Sequence, residues 1–107
     1  MRDRIEYDSK AREHIDALTQ SNRDALEAEV TRLHAIALQE VGAFNAASRE
    51  GRHRWGERSD VVTNVRGYAN AQAWMVTWCA GTDNYTRTTS ITLRLRFHGG
   101  ALESRIT

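Results

Sequence analysis

The chain has 107 residues and a mass of 12.1 kDa, which fits one compact domain and excludes most multidomain architectures. Hydrophobic residues make up 40% of it and charged residues 27%, enough apolar material for a small core and too much for a disordered chain. The net charge of +1 hides a division: residues 1–48 carry six basic and nine acidic groups, residues 49–107 nine arginines and five acids. A negative front and a positive back point to one face that attracts anions, although ordinary surface charge can segregate in the same way.

Near the start, Arg4-Ile5-Glu6-Tyr7 alternates as a short strand does, and Asp8-Ser9 offers a helix start. Ala11, Ile15 and Leu18 then recur at helical spacing. After Ser21 and Asn22 the stripe resumes as Leu26, Val30, Leu33, Ala37, Val41 and Phe44, at intervals of three and four. The pattern predicts two antiparallel helices, residues 9–19 and 22–46, with Ser21 and Asp24 as a weak capping box. One continuous helix is the rival, because Ala25 extends the stripe from Leu18. His34 is expected on the helix surface. Residues 48–59, polar and punctuated by Gly51 and Gly56, read as a loop.

The second half reads as sheet. Val61-Val62-Thr63-Asn64-Val65-Arg66 is rich in β-branched residues and stops at Gly67. The run from Ala73 to Ala80 is apolar on both faces, as in a central strand, with Trp74, Met75, Trp78 and the Cys79 thiol expected in the core. Gly81-Thr82-Asp83-Asn84 supplies turn chemistry. Thr89, Ile91, Leu93, Leu95 and Phe97 alternate with Ser90, Thr92, Arg94, Arg96 and His98 along a strand that Gly99-Gly100 ends. The expected fold is α+β: an N-terminal helical hairpin packed on a three- to four-stranded antiparallel sheet. It forms a single domain over residues 1–107, with a helical part at about 8–47, a basic loop at 48–59 and a sheet at 60–98. Ile91, Leu93, Leu95 and Phe97 are expected to pack on Leu26, Val30 and Leu33.

Two clusters carry candidate chemistry. Arg94, Arg96 and His98 alternate on one strand, about 6.5–7 Å apart, close to the spacing of phosphates in an extended nucleic-acid strand. His98 is placed to move a proton, and the arginines to hold negative charge on phosphorus. The same row also fits the wet face of a one-sided sheet. In the loop, Arg52, Arg54 and Arg58 surround Trp55, pairing cationic groups with a stacking surface suited to single-stranded RNA; a tryptophan folded back into the core is the competing reading. The four histidines and Cys79 show no metal-ligand spacing, so no metal or cofactor is expected. With no apolar leader and a lone cysteine, the chain is expected in the cytoplasm and away from membranes.

The run Arg4-Ile5-Glu6-Tyr7-Asp8-Ser9-Lys10-Ala11-Arg12 resembles the opening of the RelE/ParE toxin superfamily, a short strand entering a helix. Asn64-Val65-Arg66-Gly67, Trp74-Met75-Val76-Thr77-Trp78 and the strand from Ser90 to His98 resemble its later strands. The resemblance covers about residues 4–100. It implies a toxin of a toxin–antitoxin pair acting on mRNA at the ribosome, or the gyrase-inhibiting branch, with an antitoxin protein as partner. It also implies metal-independent RNA cleavage by basic residues on the middle strands and just past the last one. The corresponding positions here fall near Val62, Asn64, Met75 and Ala101, none of them basic; Arg66 and Arg96 match loosely, and His98, Arg54 or Arg58 would substitute. The alternative is a non-enzymatic interaction module, such as a phage-encoded inhibitor or virion-assembly subunit, with a protein partner.

Overall fold

Asp8 decides where the first helix begins. In the computed structural model, which describes residues 2–68, 73–81 and 87–106 without the side chains of 87–95 and 106, the Asp8 carboxylate accepts the Ala11 N–H at 2.7 Å. That cap starts α1 (Ser9–Asp16), directly after β1 (Arg2–Tyr7). Three residues later the chain enters α2 (Gln20–Arg49), so the stripe is divided into two helices. The cap of α2 is Thr19, whose Oγ1 accepts the Asn22 N–H at 3.2 Å, and not the expected Ser21, which already lies in the first turn. The helix also outruns its predicted end. Ala46 and Ala47 favour helix, and the break comes only where Gly51 takes a φ of 75°.

Four further strands follow: β2 (Asp60–Gly67), β3 (Ala73–Gly81), β4 (Arg87–His98) and β5 (Ala101–Ile106). They form one sheet in the order β1-β2-β3-β4-β5. The α+β class stands, but the sheet has five strands, not three or four, and is mixed, not antiparallel: β1 runs parallel to β2. Parallel neighbours need a long crossover, and α1 and α2 supply it. The sheet also runs past residue 98. Gly99 and Gly100 have φ of 59° and 81°, the positive pair of a two-residue hairpin turn, so they fold β5 back on β4 instead of ending the sheet. The turn expected at Gly81-Thr82-Asp83-Asn84 lies, beyond Gly81, outside the described residues. The register also shifts between Thr77 and Cys79, whose partners are Thr92 and Thr89, so a bulge interrupts the expected even alternation of β4.

Both helices cover one face of the sheet, α1 on β2 and α2 on β2, β3 and β5. Ala11, Ile15, Leu18, Leu26, Val30 and Leu33 close over Val65, Trp74 and Val76, while Ala37 and Val41 close over Val61, Trp78 and Ala80. Phe97 packs against the first group, as expected; the side chains of Ile91, Leu93 and Leu95 lie outside the described residues. Trp74 is fully buried, edge-on to Phe97 at 6.0 Å, and its Nε1–H donates to the Ala11 carbonyl at 3.3 Å. No helix among the described residues is long and apolar enough to cross a membrane.

Gly67 closes the joint between α1 and β2. Its N–H donates to the same Asp8 carboxylate at 3.1 Å, and the Asp8 N–H donates to Val65 O at 3.0 Å. A Cβ on Gly67 would meet the backbone of Lys10 and Ala11 at 2.6 Å, so only glycine admits the helix there. Gly67→Ala is expected to cost about 1–3 kcal/mol of unfolding free energy in urea titration, by forcing α1 off the end of β2. An unchanged midpoint would show that the joint yields freely.

Candidate nucleic-acid interface

The face turned away from the helices carries the arginines. Strand register lines up Arg66 of β2, Met75 of β3, Arg94 of β4 and Arg105 of β5 in one row across the sheet. With strands about 4.8 Å apart, the row spans about 14 Å. One step along, Ala73, Arg96 and Glu103 form the next row, and His98 lies opposite Ala101. Arg66, Arg96, His98 and Arg105 are all exposed. The side chain of Arg94 lies outside the described residues. Among those described, no carboxylate is in ion-pair range of Arg66, Arg96 or Arg105, although Glu103 faces Arg96 in register. At the β1 edge, by contrast, Arg4 is paired with Glu6 at 2.6 Å and Asp60 at 2.9 Å.

Where the row meets the end of β2, Arg66, Gly67, Tyr68 and Met75 line a shallow cleft of about 190 Å³. Met75 therefore departs from the expectation of a core residue: its side chain is half-buried on the open face, because alternation along β3 turns Trp74 and Val76 to the helices and Met75 away. Tyr68 and Arg105 went unnoticed in the sequence. Reading Gly99-Gly100 as a hairpin turn would have found Arg105, since it brings a fifth strand beside Arg94.

The loop arginines are disposed differently. Arg49 is paired with Glu57, and Arg52 with Glu50 at 2.6 Å, so Arg52 is tied to the protein's own carboxylate. Arg58 stacks over Phe44 at 4.8 Å, and Asn45 clamps the Arg58 backbone, accepting its N–H at 2.7 Å and donating to its carbonyl at 2.8 Å. The His53 ring lies on Phe44 at 4.2 Å, with Nε2 bonded to Phe44 O at 2.9 Å and Nδ1 to the Trp55 N–H at 3.2 Å. A carbonyl only accepts and an amide N–H only donates, so in this arrangement Nε2 of His53 donates and Nδ1 accepts. The stitched loop holds Trp55 outward, 73% exposed, beside exposed Arg54; the indole does not fold back into the core.

The two clusters do not converge. Along α2, Leu26 to Leu33 sit over the Arg66 end of β2, Ala37 and Val41 over the Asp60 end, and Phe44 and Asn45 beyond it. Asp60 and Arg66 are about 20 Å apart at strand rise, so Arg52, Arg54, Trp55 and Arg58 occupy one end of the molecule and Arg66, Arg96 and His98 the other.

His34 is buried, not on the surface as expected. Its Nδ1 meets Thr63 Oγ1 at 2.7 Å and its Nε2 meets Asp3 Oδ1 at 3.1 Å, an ordering of carboxylate, imidazole and hydroxyl seen in hydrolases. Thr63 has no exposed surface, however, and no substrate reaches its hydroxyl. The set works as a polar clamp tying α2 to β1 and β2.

Comparison with protein-family models, curated proteins and solved structures finds no match. Among the described residues no group of histidine, cysteine and carboxylate side chains is arranged to hold a metal ion.

Proposed function

We propose that this protein is a RelE-like, RNA-directed toxin that binds single-stranded RNA across its open sheet face. The observation that carries the reading is the set of exposed guanidinium groups on two adjacent rows of that face, Arg66 and Arg105 on one and Arg96 on the next, facing solvent without carboxylate partners among the described residues. Guanidinium groups give bidentate bonds to phosphate, and unpaired ones need not exchange an internal ion pair for it. The element order, a strand, two helices and then a sheet whose middle strands carry Arg66 and Met75, supports the RelE-like part.

His98 would supply the chemistry. It is exposed, two residues along β4 from Arg96, about 6.5–7 Å at strand rise. The imidazole takes the proton of a ribose 2′-hydroxyl as that oxygen bonds to phosphorus. Arg96 stabilises the charged phosphorane, and the 5′-oxygen leaves with the proton that the imidazolium returns. The products are a 2′,3′-cyclic phosphate and a 5′-hydroxyl end, and the nucleophile is the substrate's own.

The test is a labelled RNA 12-mer titrated with protein in EDTA, followed by anisotropy and by mapping of RNA ends. Binding that weakens as salt rises, with cyclic-phosphate ends, supports the toxin; no binding at low salt overturns it. His98→Gln is expected to leave affinity within about twofold and to lower cleavage by about 10²–10⁴. Equal cleavage by the variant would remove His98 from the reaction.

A second reading, a protein-interaction module, is favoured by Trp55, because a rigidly presented indole is the usual centre of a protein contact. A stoichiometric protein complex that survives nuclease treatment would select it.

A further inference from the structure

Strand β5 closes one side of the sheet, and no described strand pairs with its outer edge. The Gly99-Gly100 turn sets which backbone groups lie on that edge. A two-residue turn closes on a hydrogen-bonded pair, here His98 and Ala101, and hydrogen-bonded and non-hydrogen-bonded pairs alternate from there. Glu103 and Arg105 therefore turn their backbone N–H and C=O groups to β4, while Leu102, Ser104 and Ile106 turn theirs outward. Such an outward row is a template for a further strand. We propose that it pairs with its own copy: two chains join β5 to β5, antiparallel about a two-fold axis at Ser104, and their sheets become one.

Charge and register together select a second copy as the occupant. With the axis at Ser104, Glu103 of each chain stands opposite the partner's Arg105. These are non-hydrogen-bonded positions, where facing Cα atoms are about 4.5 Å apart and side chains meet most closely. An axis at Glu103 would set carboxylate against carboxylate, and an axis at Arg105 guanidinium against guanidinium, both repulsive. Both charges are open to the exchange. Glu103 faces Arg96 in register, yet neither Glu103 nor Arg105 is in an ion pair among the described residues, and Arg105 stands opposite a like charge, Arg94. The β1 edge offers less: Arg4 and Glu6 also stand two residues apart, but they are bonded to each other at 2.6 Å, and Arg4 to Asp60 at 2.9 Å. A peptide of another protein would need the charge order of β5 in reverse, which a second copy supplies by symmetry.

The axis stands perpendicular to the sheet, so both helical layers lie on one side and both arginine faces on the other. A contact of one patch with itself leaves no edge free, and assembly stops at the dimer. It is only about six backbone hydrogen bonds wide, so dissociation is expected in the range of tens to hundreds of micromolar. The proposal goes beyond RNA binding, and its test contains no nucleic acid. Sedimentation velocity of the intact protein up to about millimolar concentration is expected to show a monomer–dimer equilibrium. Glu103→Arg and Arg105→Glu each place two like-charged pairs across the axis and are expected to weaken association at least about tenfold. The double variant, Glu103→Arg with Arg105→Glu, keeps the net charge, restores both opposite pairs and is expected to associate within about threefold of the parent chain. Glu6→Arg on β1 is expected to leave association unchanged. Amide exchange tests the same contact without substitution: the Ser104 N–H is expected to exchange about threefold or more slowly at millimolar than at micromolar concentration, while the Arg105 N–H, bonded to β4 in either state, does not respond. A chain that stays monomeric or grows beyond the dimer overturns the proposal. So do a double variant that fails to recover the dimer, a Ser104 amide indifferent to concentration, and a loss in Glu6→Arg equal to that in the β5 variants, which would place the contact on β1.

Discussion

Trp74→Ala is expected to remove about 3–5 kcal/mol of unfolding free energy, a large share of the 5–15 kcal/mol, roughly, available to a domain of this size. Trp74 has no exposed surface and lies between α1 and the sheet, edge-on to His14 at 6.1 Å and to Phe97 at 6.0 Å. Alanine leaves a cavity that Ile15 and Leu26, held on helices, cannot collapse to fill, and removes the hydrogen bond that the indole donates to the Ala11 carbonyl. Trp74→Phe separates the two losses. It keeps most of the ring volume and forfeits the hydrogen bond, so a cost nearer 1 kcal/mol is expected. Urea titration of both variants reads the difference. A Trp74→Ala loss below about 1 kcal/mol would show that the helices do not close over β3.

The packing just described was largely legible in advance because it is written as period. Apolar residues at intervals of three and four leave a helix one buried face, and Leu26, Val30, Leu33, Ala37 and Val41 all lie on it. Asp8 was legible as a cap for the same reason: a short acceptor just ahead of a helical stripe has one obvious use. What escaped was pairing. Nothing in Arg4-Ile5-Glu6-Tyr7 distinguishes a parallel from an antiparallel neighbour; the direction follows from a helical crossover whose far end is 50 residues away. Gly99-Gly100 was ambiguous at the level of residues, since two glycines end a strand or turn it, and only the alternating Leu102, Ser104 and Ile106 beyond them decide.

Side-chain partners were less legible than elements. His34 gives no sign in the sequence that Asp3 and Thr63 will meet it, because both lie about 30 residues away on other elements. The loop arginines looked equivalent to those of the sheet. In the folded chain Glu50 and Glu57 claim Arg52 and Arg49, while β4 and β5 set Arg105 opposite Arg94 and diagonal to Arg96, with Glu103 the nearest acid in register. The candidate site therefore narrowed to the sheet, and it gained Arg105, Tyr68 and Met75 from neighbours that only register supplies.

That narrowing sets the functional prediction with the largest expected effect. Replacing Arg66, Arg96 and Arg105 together by alanine is expected to weaken RNA 12-mer binding about 100-fold or more in low salt. At about 1–1.5 kcal/mol per charge-assisted phosphate contact, three contacts give a factor of that order. All three side chains are exposed, so the unfolding midpoint is expected to stay near that of the parent chain. The salt dependence separates a lost phosphate contact from a distorted sheet. Each neutralised phosphate of a single strand contributes about 0.7 to the slope of log K against log salt, so the triple variant should bind with a slope shallower by about 2. Arg49, Arg52 and Arg58 replaced together form the matched control of equal charge. Because Arg49 and Arg52 already answer Glu57 and Glu50 and Arg58 lies over Phe44, that control is expected to keep most of the slope. Equal losses in the two variants would mean that net charge alone draws RNA to the protein, and that the open sheet face is not where it binds.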